Sequence, residues 1–223
     1  MDFNDTPEEA AYRAEARSWL EANAPKRHGR DDEDPAGLKD AKAWQARKAA
    51  AGYSCITWPK EWGGVGGANW QAQVFAQEES NYPTPGNPFQ IGLGMCVPTI
   101  MTSGNEVDKQ RFVGPAMRGE EIWCQLFSEP SGGSDVAAAR TRAEKAPDGS
   151  GDWLISGQKV WTTGAQFSDF GIVVTRTDPE APDIWWIGRT SIAGSCMSTQ
   201  NMVRPLCLGT SGSVRASSRP KSE

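Results

Sequence analysis

Apolar residues recur three and four positions apart through the first half of the chain and drift toward alternation after Ile122, so helices are predicted first and strands second. Thr6-Pro-Glu-Glu9 joins an N-cap, a proline at the first helical position and a capping-box glutamate. This predicts a helix over Pro7 to Asn23, with Tyr12, Ala16, Trp19 and Leu20 facing inward and Pro25 ending it. A second helix is predicted over Leu38 to Ala51, then a loop dense in Trp, Pro and Gly from Tyr53 to Gly67. Asn69 is read as the cap of a third helix reaching Glu79. Residues 87–102 are small and apolar over a helical length, and Asn105 opens a further helix through Phe112, with Asp108 and Arg111 on its polar side. From Ile122 the period approaches two: Ile122 to Phe127 reads as a strand, and Trp153, Ile155 and Gly157 alternate with polar neighbours. Phe170 to Thr177 is rich in β-branched residues, and Pro147 to Asp152 reads as a hairpin turn.

Length and composition narrow the function classes. The chain has 223 residues, 38% of them hydrophobic, enough for one large or two small cores. A net charge of -5 argues against nucleic acid or a membrane surface as a partner, since both favour a basic face. No apolar run approaches the ~18 residues of a spanning helix. The N-terminus carries Asp2, Asp5, Glu8 and Glu9 instead of a basic leader, so a cytoplasmic location is expected. Five cysteines without a Cys-x-x-Cys pair read as reduced structural thiols, and no metal site is expected. The single histidine, His28, sits in a charged stretch with no nucleophile patterned around it and reads as a solvated loop residue.

Candidate chemistry lies in two motifs. Gln125-Leu-Phe-Ser-Glu-Pro-Ser-Gly-Gly-Ser-Asp135 reads as a strand that ends at the Ser128 hydroxyl and runs into a turn able to aim backbone N–H groups at a ligand. Gly157-Gln-Lys-Val-Trp-Thr-Thr-Gly164 reads as a strand carrying Trp161 beside the hydroxyls of Thr162 and Thr163. An indole flanked by hydroxyls suits an isoalloxazine better than a bare phosphate.

At these residues the chain resembles the acyl-CoA dehydrogenase family. Ser128-Glu-Pro-Ser-Gly-Gly-Ser-Asp135 is similar to the family signature, with Gly132 where Ala is more usual, and Trp161-Thr-Thr163 to its flavin-facing Trp-x-Thr. Thr57-Trp-Pro-Lys-Glu-Trp-Gly-Gly64, Pro98-Thr-Ile100, Asn105 to Phe112 and Arg118 to Trp123 look like further landmarks in family order. The resemblance covers roughly residues 1–180 and implies an α+β chain: an all-α domain over 1–119, then an incomplete, β-barrel-like middle domain over 120–187. Residues 188–223, rich in Ser, Arg and Gly, are expected to be irregular and non-native, a disordered tail being the alternative.

The resemblance further implies FAD as cofactor, an acyl-CoA substrate, an electron-transfer acceptor and a homo- or hetero-oligomer. It assigns Gln125, Leu126, Phe127, Ser128, Gly133, Ser134, Trp161, Thr162 and Thr163 to the flavin, with Ser134 also on the pantetheine of the substrate. Glu129 and Asp135 are read as bonding turn amides. No catalytic base is assigned, because the family's glutamate lies in a C-terminal helical domain with no counterpart here; the fragment is expected to be inactive alone. An acyl-CoA oxidase or flavin monooxygenase on the same scaffold, and a non-catalytic assembly subunit, remain open. Without covering helices, Phe89, Leu93, Phe127 and Trp161 are expected to form an exposed apolar patch, and Phe170 to Thr177 an open sheet edge.

Overall fold

The computed structural model describes residues 5–26, 34–131, 133–135, 138–147 and 153–177, and the backbone of short strands between 186 and 216. His28 and turn residues 148–152 lie outside the described residues. The chain divides into two compact units, residues 1–93 with 112–120, and residues 94–111 with 121–223.

The first unit is helical. Helix α1 (Pro7–Asn23) begins at the predicted capping box: the Thr6 hydroxyl accepts from Glu9 N at 3.2 Å and the Glu9 carboxylate accepts from Thr6 N at 2.8 Å. Helix α2 (Pro35–Ala50) starts three residues earlier than predicted, because Asp34 caps it and Pro35 supplies a first-turn residue with no N–H to satisfy. Helix α3 (Asn69–Glu79) corrects the reading of Asn69 as a cap: Ala68 is the cap, and its N–H donates to the Gln71 side chain. Ala16, Leu20, Trp44, Ile56 and Phe75 form the core. Tyr53 stacks on Phe75 with ring centroids 4.5 Å apart, and Trp19 closes on Tyr53 at 4.8 Å. Glu78 of α3 accepts from Arg13 and Arg17 of α1, which locks the pair of helices in register.

A π-helical turn (Gly92–Cys96), whose residues 94–96 belong to the second unit, leads into α4 (Val97–Ser103), and Asn105 caps α5 (Glu106–Met117) by accepting from Asp108 N. Helix α5 runs five residues past its predicted end, through Pro115, and from Phe112 onward it belongs to the first unit. Residues 94–111 group with the strands: the Cys96 thiol donates to the Cys124 carbonyl, and Arg111 pairs with Glu121 at 2.6 Å.

Strand β1 (Trp123–Leu126) pairs in parallel with β4 (Phe170–Thr175), and β4 pairs antiparallel with β5 (Trp186–Ser191), giving the order β1-β4-β5. The expected open edge at 170–177 is therefore wrong: β4 is the central strand, with Phe170 opposite both Trp123 and Ser191. Its run of buried residues from Gly171 to Thr175 is what a central strand requires. A second sheet pairs β2 (Arg142–Lys145) antiparallel with β3 (Trp153–Lys159) as the hairpin reading expects. It continues through β7 (Leu206–Leu208) to β6 (Cys196–Met197), with β8 (Val214–Ala216) also on β3. Beyond residue 188, the described residues are thus the end of β5 and three strands of two or three residues. The core of this unit joins Cys124 and Leu126 to Ala143, Ile155, Ala165 and Val173.

The expected apolar patch is also corrected. Phe89 is buried, Leu93 and Phe127 are half-buried, and only Trp161 is exposed, at 58%.

Candidate flavin-facing site

Ser128 stands two residues beyond β1, where its carbonyl accepts from Val160 N at 2.9 Å and so joins the two sequence motifs. Gly133 lies in the notch between them: a Cβ placed there would stand 3.6 Å from both Ser128 Oγ and Trp161 Cζ3. Ser128, Gly133 and Trp161 therefore converge from three points of the chain. Ser134 and Thr163 are exposed beside them in sequence, and Thr162 is half-buried with a hydroxyl that has no hydrogen-bond partner. Gln125 and Phe127 are half-buried, whereas Leu126 is fully buried in the core and offers a ligand only its backbone.

Trp161 departs from the strand placement expected for it. Strand β3 stops at Lys159, and Trp161 stands two residues beyond in the left-handed region, with φ 53°. Sterics disfavour this region for any residue with a Cβ by about 1–2 kcal/mol. An indole exposed to 58% recovers little of that through burial. Strain kept at an exposed aromatic is characteristic of a surface shaped for a ligand. Gly164, at φ 75°, completes the turn, and Ala165 N donates to the Thr162 carbonyl at 3.3 Å.

Beneath this surface lies an ion pair that sequence reasoning missed. Lys159 Nζ donates to Glu129 Oε1 at 2.8 Å and to the Phe127 carbonyl at 3.0 Å. Lys159 is fully buried and Glu129 is 4% exposed. The Glu129 oxygens also accept from Arg140 N at 2.6 Å and Thr141 N at 2.9 Å, which agrees with the turn-amide role expected for it. Asp135 does likewise on a smaller scale, accepting from Ala138 N. Burial alone would raise the Glu129 carboxyl, but the Lys159 ammonium and the N–H donors outweigh it and lower it to about 2. Burial lowers the Lys159 ammonium from its ordinary range, and Glu129 opposes that shift. The available signal was the period of β3, since Ile155 and Lys159 stand four residues apart on the buried row.

Other chemistry is sparse among the described residues. No cluster of three His, Cys, Asp or Glu side chains could hold a metal ion, and no helix is long and apolar enough to cross a membrane. Burial pushes the Cys55 thiol up to about 11 and those of Cys96 and Cys124 to about 12, so all three are poor nucleophiles. The helical unit holds a cavity of about 210 Å³ beside Trp44, Lys48 and Glu79. There the Glu79 carboxylate already accepts from Trp44 Nε1 at 2.7 Å and pairs with Lys48 at 3.0 Å.

A helical unit is thus followed by a unit of two β-sheets, and the indole, the serine hydroxyl and the side-chain-free notch all lie in the second. The sequence profile described as acyl-CoA dehydrogenase, N-terminal domain, matches residues 6–120, and the one described as its middle domain matches 124–196. The chain belongs to the acyl-CoA dehydrogenase family. It is 35% identical over 173 residues to the acyl-CoA dehydrogenase IpdE1 of Mycobacterium tuberculosis, covering 75% of this chain and 44% of that protein. With FadE34 of the same organism it is 40% identical over 138 residues, 62% of this chain and 19% of the relative. It spans less than half the length of these curated relatives. Among solved structures, one titled "Tcur3481-Tcur3483 steroid ACAD" superposes with a TM-score of 0.76 at 25% identity, covering 98% of this chain and 57% of that one. The ChsE4-ChsE5 complex from Mycobacterium tuberculosis superposes with a TM-score of 0.74 at 24% identity.

Proposed function

We propose that these 223 residues supply the flavin-facing wall of an FAD-dependent acyl-CoA dehydrogenase that introduces an α,β double bond into an acyl-CoA thioester. The observation that carries this reading is the exposed, left-handed Trp161 beside the Ser128 hydroxyl and the Gly133 notch. The donor set fits the group: the indole gives a flat apolar face, the partnerless Thr162 hydroxyl a free polar group, and Gly133 leaves room. Bound FAD would supply the acceptor for the β-hydrogen, leaving as hydride. The residues of this chain hold and orient. Ser128, Thr162 and Thr163 meet polar edges, Trp161 covers one side against water, and Ser134 reaches the pantetheine arm. Gln125, Leu126 and Phe127 contribute through the strand that carries them. Abstraction of the α-proton needs a carboxylate base near its working pH. Glu129, held ionised in an ion pair, cannot take that role, and we assign it to a group outside these residues.

One wall of a site binds weakly by itself, so these 223 residues purified alone should be colourless near 450 nm yet quench the fluorescence of added FAD by indole stacking. Replacing Trp161 by Ala should abolish the quench. Quenching equal in the wild-type and W161A chains would refute the placement of the flavin, and stoichiometric flavin in the purified chain would refute the single wall.

A second reading, that the chain works as one subunit of a two-chain enzyme, draws support from its likeness to the Tcur3481-Tcur3483 and ChsE4-ChsE5 structures. Mixing with a chain that supplies the base should then yield an assembly whose flavin bleaches on adding acyl-CoA. Absence of bleaching with every such chain encoded beside it would sink this reading.

A further inference from the structure

We propose that the buried Glu129–Lys159 pair is a positioning clasp for the ligand-facing surface, fixing Ser128 and Trp161 relative to each other instead of adding net stability. This rests on the flavin reading above for what the surface binds, but not for the clasp itself.

Three segments meet at the pair. Lys159 takes hold of the Phe127 carbonyl and of Glu129, Val160 N–H of the Ser128 carbonyl, and Glu129 of the amides of Arg140 and Thr141. Residues 127, 128 and 129 are thus each bonded, one after another, to the segment that ends in Trp161 or to the strand entry at 140–141. Burying two charges costs solvation that their attraction only about balances, and well-packed apolar residues in their place often do as well. What apolar residues cannot do is fix direction. Each bond at this pair specifies a donor, an acceptor and an angle, so the backbone at 159–160 has one orientation as it enters the left-handed residue. Trp161 needs such an imposed entry, because its largely exposed side chain makes little burial gain to hold a strained φ. Ile155, four residues earlier on the same buried row, packs in the apolar core, so the strand could have placed an apolar residue at 159 as well.

The test labels the full chain with 5-fluorotryptophan and assigns the Trp161 ¹⁹F resonance as the one lost in W161F. E129Q/K159M removes both charges and the bond to the Phe127 carbonyl at nearly constant volume. The clasp predicts an almost unchanged urea midpoint, the other tryptophan lines in place, and the Trp161 line moved to the position of the unfolded chain or split into several. A merely structural pair would lower the midpoint and leave the Trp161 line where it was, which overturns the proposal. Should the double variant not fold, hydrogen exchange on the wild-type chain decides. The amides of Arg140, Thr141 and Val160 must then open as one unit, with protection agreeing within about threefold. Val160 exchanging more than about tenfold faster than the other two overturns the clasp. Added FAD separates the two ideas. If it leaves the wild-type Trp161 line unmoved while the double variant still displaces that line, the flavin reading fails and the clasp stands.

Discussion

Acid should expose the Glu129 contribution, and its size follows from the site. The carboxyl is lowered from an ordinary 4.5 to about 2 in the folded chain. Between those values the folded state holds fewer protons than the unfolded state, so its contribution is complete above about pH 4.5 and is lost as pH falls through about 2. At roughly 1.36 kcal/mol per pKa unit, the loss amounts to about 3 kcal/mol. Burial lowers Lys159 and Glu129 opposes that shift, so the comparison must remove both partners together. Glu78 is also lowered, by its hydrogen bond from Arg17 against the opposing effect of burial and with further help from Arg13, so acid weakens it as well. Wild type must therefore be compared with E129Q/K159M, in which Glu78 is unchanged. Urea unfolding of both chains from pH 6 to pH 2 measures the gap between them. That gap should shift against the wild type by about 3 kcal/mol, mostly below pH 4.5. Two curves that stay parallel across the range would show that Glu129 is not held ionised by its partners, and the account of the site would fail with it.

At Trp161, glycine should be the better small replacement: W161G should exceed W161A in stability by about 1 kcal/mol, since only glycine enters φ 53° without a Cβ penalty. Thermal melts of the two variants check this, and equal values would mean that the left-handed geometry is not kept in solution. Leu20→Ala should cost about 2–5 kcal/mol in urea unfolding, because the side chain is wholly buried at the α1 core. Val107→Ala, at a position 53% exposed, should stay within about 0.5 kcal/mol. Thr6→Ala should cost about 1 kcal/mol by removing the acceptor for Glu9 N.

Local signals made the helical unit legible. Thr6, Pro7 and Glu9 form a complete cap within four residues, and α1 begins and ends where they and Pro25 require. The start of α2 carried an equally readable signal, Asp34 before Pro35, but it sits in a run of charge that masks it. The position of β4 was not legible. A β-branched run is consistent with an edge or a centre, and the deciding partner, β5, lies across a proline-containing connection with no local signature. Residues 94–111 read as plain helix and so as part of the helical domain. Their membership in the second unit depends on Cys96 meeting the Cys124 carbonyl and Arg111 meeting Glu121, pairings that no periodicity encodes.

The same division runs through the site. Ser128, Gly133 and Trp161 could be picked out because a hydroxyl at a strand end, paired glycines in a turn and an aromatic beside two threonines are unusual neighbours. Lys159 could not be picked out by type, since lysine is ordinarily a surface residue. Only its phase with Ile155 placed it indoors, and a buried cation then demands an anion within reach. Glu129, in the other motif, was the carboxylate already noted for bonding turn amides. Taking these two demands together would have paired the motifs in space before any coordinates. A charge at an inward position of a strand therefore constrains tertiary structure more tightly than any of the apolar residues around it.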